Sequence, residues 1–166
     1  MGNIKKLAGQ TVWYGVSSIV GRFLYYLMTP YFLMKLSVEG YGDFSLVYAA
    51  IPFLNIIFTY GLETAYFRFA TQEQYKKDVY NTAIISIIST TILLTTVLIF
   101  SRHSIAHLLR LDAHPEYITI AALIIAFDTL SALPFAKLRL DERPRKYAFI
   151  RVTTVIFQII ITYFLI

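Results

Sequence analysis

The 166-residue sequence has no cysteine and little charge, and both deficits narrow the class of protein. Without cysteine, disulfide bridges and thiolate metal sites are excluded. Only 15% of the residues are charged, whereas a typical soluble domain carries about 25%. The hydrophobic fraction is 57% and the mean hydropathy is +0.61, so the chain has too little polar surface for water and suits solvation by lipid.

Signal-peptide and catalytic motifs are also missing. Lys5 and Lys6 precede an apolar stretch that is too long for a signal sequence and lacks a small-residue cleavage site. No Ser-His-Asp pattern, glycine-rich phosphate loop or paired-carboxylate motif occurs, so we predict neither enzymatic activity nor a cofactor. His103 and His107 have the spacing of zinc ligands but lack the accompanying glutamate, which favours an interfacial loop over a metal site.

Long apolar segments dominate the rest of the chain. A membrane-spanning helix needs about 20 apolar residues, and lipid gives the backbone no hydrogen-bond partner, so each segment is predicted to be helical. Five segments qualify: Thr11–Met34, Phe44–Gly61, Thr82–Phe100, Tyr117–Phe135 and Phe149–Ile166. The sequence therefore predicts an all-α, polytopic transmembrane bundle of about five helices that occupies residues 1–166 as one domain.

The basic residues set the predicted orientation. Most of the 15 basic residues lie in the N-terminus, the second loop and the fourth loop, and only Lys35, Arg102 and Arg110 lie on the opposite side. Basic loops stay in the cytoplasm, so the N-terminus is predicted to be cytoplasmic. This distribution also explains the net charge of +5 better than binding of nucleic acid does. Because the sequence stops at Ile166 inside an apolar run, we expect a fragment of a longer protein.

Polar residues follow one face of the first span. Projection at 100° per residue gathers them into an arc of about 100°, with an arginine at mid-depth. The residues are Thr11, Gly15, Ser18, Arg22, Tyr25, Tyr26 and Thr29. An arginine near the bilayer centre costs at least ~2.5 kcal/mol, so something must compensate this cost, and we expect Arg22 to bind an anion or a carboxylate partner.

Other spans carry similar stripes. In the second span the stripe covers roughly 80° and ends at a carboxylate; it contains Ser45, Tyr48, Pro52, Asn55, Thr59 and Glu63. The fourth span holds Asp128, flanked by the small residues Ala121, Ser131 and Ala132, and the fifth aligns Arg151, Thr154, Gln158 and Thr162. Two interpretations stay open: the stripes line an aqueous cavity, or they hydrogen-bond between helices as structural glue.

Four stretches resemble the N-terminal part of the Wzx-type polysaccharide flippases. They are SSIVGRFLYYLMTPYFLMKL, the short turn EGYGDFSLVYA, YGLETAYFRFA and FDTLSALPFAKLRLDERPRKYAFIR. These flippases belong to the superfamily of multidrug, oligosaccharidyl-lipid and polysaccharide exporters. The resemblance implies that the chain forms most of one lobe of a two-lobed transporter in the bacterial inner membrane. It also implies a polyprenyl-pyrophosphate-linked oligosaccharide as substrate, moved by alternating access.

The resemblance assigns a cavity-lining role to Arg22, whose guanidinium suits a pyrophosphate. From the stripes we add Ser18, Tyr25, Tyr26, Asn55 and Gln158 as candidate substrate-binding residues, and Glu63 and Asp128 as candidates for ion coupling. The expected partners are the lipid-linked oligosaccharide, membrane lipid and the remaining helices of the transporter. A drug or metabolite exporter of the same superfamily and a small membrane scaffold are the alternative functions.

Overall fold

The computed structural model describes residues 12, 15–16, 19–20, 23, 26–71 and 76–165, apart from the side chains of Lys76, Lys77 and Leu165. The described residues between positions 12 and 35 are helical and continuous from residue 26 (α1). The later helices are α2 (Val38–Thr59), α3 (Leu62–Ala70), α4 (Lys76–Phe100), α5 (Arg102–Leu108), α6 (Glu116–Leu140) and α7 (Pro144–Leu165).

Four of these helices are long and apolar enough to cross a membrane. They are Val38–Thr59, Asp78–Phe100, Glu116–Leu140 and Pro144–Phe164, and they correspond to the second to fifth predicted spans. Much of the first predicted span, Thr11–Met34, lies outside the described residues. No strand occurs among the residues the structure describes, so the predicted class, an all-α polytopic membrane protein, is confirmed.

Helix α2 begins earlier than the hydropathy indicated. The sequence predicted a turn before Phe44, but the helix already starts at Val38, and the turn prediction is wrong. The Ser37 hydroxyl caps the new N-terminus by accepting a hydrogen bond from the Gly40 amide at 3.1 Å. Glu39 lies in the first turn, where a carboxylate is favoured by the helix dipole.

A left-handed turn separates α2 from α3. Tyr60 has φ 36° and Gly61 has φ 72°, and this conformation ends α2 at Thr59. The Tyr60 hydroxyl lies 2.8 Å from the Ser86 hydroxyl of α4, which holds the turn against that helix. Glu63 therefore lies in the first turn of α3 and does not continue the polar stripe of α2, contrary to the prediction.

The loop between the third and fourth spans contains the short helix α5. Its C-terminus is a Schellman motif, in which the Arg110 amide bonds the His107 carbonyl and the Leu111 amide bonds the Ala106 carbonyl. The motif places Arg110 at φ 59°, a conformation that costs a non-glycine residue about 1–2 kcal/mol. Leu111 and Ala106 pack together, as this motif requires.

The chain divides into two compact units. The unit that spans Gly42–Ala136 has two apolar clusters. One joins α2, α4 and α6 through Ile51, Phe58, Leu94 and Ile125, and the other joins α5 to the start of α6. Small buried residues of α6, namely Ala121, Ala122 and Ala136, permit close helix packing.

The other unit contains α1 and α7. Two tyrosines join these helices: the Tyr31 hydroxyl donates to the Tyr163 carbonyl at 3.3 Å, and the ring centroids are 5.5 Å apart. Pro144 occupies the first position of α7, where its missing amide proton costs no helical hydrogen bond.

Two glycines should respond to alanine in opposite directions. Gly61→Ala is expected to destabilise the protein by about 1 kcal/mol, because alanine disfavours positive φ. Gly42→Ala is expected to stabilise it by about 0.5–1 kcal/mol, because Gly42 is helical and its Cβ would meet open space. Thermal unfolding of both variants in the same detergent measures the difference. If both variants changed the thermal midpoint by the same amount and in the same direction, the result would contradict the left-handed turn at Gly61.

Candidate functional site

A polar contact joins α2 and α6 inside the Gly42–Ala136 unit. The Thr129 hydroxyl donates to the Asn55 side-chain carbonyl at 3.3 Å, and Thr129 is 0% exposed. Phe58 and Ile125, which lie about one turn away along their helices, are both buried in the adjoining apolar cluster. The hydrogen bond therefore lies beside an apolar core and fixes how α2 faces α6.

Asn55 uses only part of its hydrogen-bonding capacity in this contact. Its side-chain carbonyl accepts from Thr129, and its backbone carbonyl accepts from the Thr59 hydroxyl at 2.7 Å. Within the part of the chain that the structure describes, its amide nitrogen has no partner, and the residue is only half-buried. An amide NH₂ carries two donors, which suit sugar hydroxyls or phosphate oxygens.

Tyr48 of α2 and Asp128 of α6 are exposed polar residues on the same two helices. They lie near enough to each other for the charge of the Asp128 carboxylate to reach the Tyr48 hydroxyl. The Tyr48 ring packs on Phe44 with centroids 4.4 Å apart, and the Ser131 hydroxyl donates to the Asp128 backbone carbonyl at 2.8 Å. A carboxylate on a membrane-spanning helix normally faces protein or water, so this pair marks a surface suited to cation binding or proton exchange.

The remaining predicted site residues lie in other parts of the fold. Tyr26 in α1 is 74% exposed, and Gln158 in α7 is also exposed. Glu63 is half-buried in α3, away from the stripe to which the sequence assigned it. Ser18, Arg22 and Tyr25 lie outside the described residues. The structure thus brings Asn55 and Asp128 onto adjacent helices, and their proposed roles stay predictions.

Thr129 and Tyr48 belong to this group of residues on α2 and α6 but were not among the candidate site residues chosen from the sequence. Thr129 lies about 100° around α6 from Asp128, so a projection centred on the carboxylate passed over it. Tyr48 belongs to the predicted stripe of α2 but was not chosen as a site residue. Its position relative to Asp128 depends on how the two helices pack, which no single-helix projection contains.

Helix α4 adds two buried hydroxyls of a different kind. Thr91 is 2% exposed, and the side-chain oxygens of Thr91 and Thr95 have no hydrogen-bond partner among the described residues. Other hydroxyls of this helix bond to its own backbone; the Thr90 hydroxyl, for example, donates to the Ser86 carbonyl at 2.9 Å. The Thr90 hydroxyl of α4 therefore bonds within its own helix, unlike the Thr129 hydroxyl, which bonds to another helix.

Two histidines, one in α5 and one after it, pair with carboxylates that follow them closely in the sequence. His107 Nδ1 lies 2.8 Å from Asp112, and His114 Nδ1 lies 2.9 Å from Glu116. In the described part of the chain, no three histidine, cysteine or acidic residues form a group that could hold a metal ion. These pairs are local contacts at one end of the spans.

Comparison with known proteins gives one family match. The model of a family described as "Polysaccharide biosynthesis protein" matches residues 7–166. Neither curated proteins nor solved structures gave a match. The match includes α1 to α7 and therefore both polar pairs between α2 and α6.

Removal of the Thr129 hydroxyl should destabilise the protein. We expect Thr129→Val to cost about 0.6–1.7 kcal/mol, because the Asn55 carbonyl loses its interhelical donor. Thr91→Val is the matched control and should be neutral or stabilising, because the buried Thr91 hydroxyl has no partner among the residues that the structure describes. Denaturant titration in detergent measures both variants. An equal loss of stability in both would argue against the Asn55–Thr129 bond.

Proposed function

Because the chain belongs to the family of polysaccharide biosynthesis proteins, we propose that it forms part of a flippase. This flippase moves lipid-linked oligosaccharide across the bacterial inner membrane. Membership of the family and four membrane-spanning helices support a role in export at the membrane. The finer proposal, a polyprenyl-pyrophosphate-linked sugar as cargo, comes from the resemblance of the four sequence stretches to Wzx-type flippases.

One observation supports the proposal for particular residues: the membrane-spanning helices α2 and α6 have exposed polar side chains. Tyr48 and Asp128 lie on an exposed surface, and Asn55 retains amide donors beside it. Such groups are costly in contact with hydrocarbon, so they suit a water-filled cavity. In a two-lobed transporter the remaining helices would supply the opposite wall of this cavity.

The proposed mechanism is alternating access around that cavity. Arg22 holds the pyrophosphate, since a guanidinium offers bidentate hydrogen bonds to phosphate oxygens. Ser18, Tyr25, Tyr26, Asn55 and Gln158 supply hydroxyl and amide groups for the sugar head group. The lipid tail stays in the bilayer while the head group passes outward. Asp128 carries the coupling ion or proton, with Glu63 as the second candidate.

Arg22→Ala should abolish export while membrane insertion stays intact. The test is complementation of a host strain that lacks the gene for this chain, with surface polysaccharide and lipid-linked repeat units as the measurements. We expect loss of surface polysaccharide and accumulation of repeat units on the cytoplasmic side, with partial recovery in Arg22→Lys. Arg68→Ala is the matched control, because Arg68 lies at the exposed end of α3. Normal surface polysaccharide in Arg22→Ala would refute the proposed role of Arg22.

Asp128→Asn should separate ion coupling from cargo binding. If Asp128 carries the coupling proton, the variant should export slowly, and an uncoupler that collapses the proton gradient should slow it no further. Asp112→Asn is the control, because Asp112 lies in the loop after α5 and pairs with His107. Unchanged sensitivity to the uncoupler in Asp128→Asn would exclude Asp128 as the coupling group.

A drug or metabolite exporter is the second candidate function. The exposed carboxylate of Asp128 favours it, because an exporter of cationic compounds needs an anion on a cavity wall. The two functions separate in the complementation assay. A deletion strain with normal surface polysaccharide but increased sensitivity to cationic compounds would replace the flippase with this alternative.

A further inference from the structure

An apolar cavity of about 320 Å³ lies between helices α2, α4, α5 and α6 within the Gly42–Ala136 unit. Its wall includes Val47, Phe53, Leu98, Leu109, Ile118 and Ala121. No charged residue lines it, so the cavity offers almost nothing to an ordered water, which needs two to four polar partners. A hydrocarbon group is the occupant that this wall suits.

The position of the cavity indicates that a membrane lipid supplies the hydrocarbon group. Leu98 lies two residues before the end of α4, and Ile118 lies two residues after the start of α6. The cavity therefore begins near one end of α4 and α6, close to the boundary between lipid tails and head groups, and reaches the middle of α2 at Val47 and Ala50. Phe53 is 73% exposed beside it, so the wall extends onto a surface that lipid can reach.

An exposed arginine lies one residue beyond the cavity wall in the sequence. Arg110 directly follows the wall residue Leu109, and among the described residues it has no ion-pair partner. Two carboxylates close in sequence have other partners. Asp112 pairs with His107, and Glu116 pairs with His114 and lies within electrostatic range of Arg102. Arg110 also occupies a left-handed position that would favour glycine, so local backbone geometry does not explain the choice of an arginine.

We propose that the cavity binds one acyl chain of an anionic phospholipid of the surrounding membrane, and that Arg110 binds the phosphate of that lipid. The apolar wall matches the chain, and the unpaired cation at the membrane boundary matches the head group. This inference does not depend on the proposed cargo, since it concerns a lipid that stays with the protein.

Photocrosslinking tests the site directly. The full chain is placed in phosphatidylcholine nanodiscs that contain phosphatidylglycerol with a diazirine near the middle of one acyl chain. Labelling is expected at wall residues such as Phe53, Leu109 and Ile118. Labels spread evenly over the exposed helix faces would overturn the proposal, as would displacement of phosphatidylglycerol by an equal amount of polyprenyl phosphate.

Two pairs of variants test binding of the acyl chain and binding of the lipid head group separately. Ala50→Phe fills the cavity and should abolish labelling of the wall, whereas Ala49→Phe adds the same ring to an exposed neighbouring position and should not.

Arg110→Gly should weaken phosphatidylglycerol binding about fivefold, whereas Arg110→Lys should retain it. Arg110→Gly also relieves the left-handed strain, so its thermal midpoint in lipid-free detergent should not fall. Undiminished binding in Arg110→Gly would contradict the role of Arg110, even if Ala50→Phe failed to fold.

Discussion

The fold depends on one constraint, the absence of hydrogen-bond partners in lipid. The backbone satisfies itself by forming helices, and several hydroxyls on the spans bond to a carbonyl of their own helix, as Thr96 and Thr154 do. Contacts between apolar side chains gain little over contacts with lipid tails, so shape and polar contacts decide how helices pair. The Asn55–Thr129 bond, together with the small residues of α6, provides that specificity between α2 and α6.

Hydropathy predicted the spans because it measures the length of apolar segments, and it missed the features that depend on helix ends. The start of α2 was signalled by Ser37 and Glu39, a capping residue and an acidic first turn, but these polar residues lowered the hydropathy there. The α2–α3 break was harder to predict. Gly61 favours a left-handed turn, but Tyr60 does not, and its hydrogen bond to Ser86 depends on tertiary packing.

The candidate site was predictable only as far as single helices determine it. The period of 3.6 residues gathered Tyr48 and Asn55 onto one face of α2, and the structure shows Asn55 bonded to Thr129 of α6. The same projection wrongly placed Glu63 on this face, because α2 ends at Thr59 and its periodicity does not apply to residues beyond that point. The pairing of Thr129 with Asn55 could not be derived from either helix alone, since it depends on the rotation of α6 about its axis.

That rotation explains how one helix buries a hydroxyl in the core and exposes a carboxylate on its surface. Asp128 and Thr129 are adjacent in sequence, so their side chains point about 100° apart. With Thr129 turned into the core against Asn55, Asp128 is directed to the exposed surface of the helix. The two interpretations of the stripes, structural glue and cavity lining, are therefore compatible. A buried hydroxyl fixes the helix, and the carboxylate beside it gains a defined position on the exposed face.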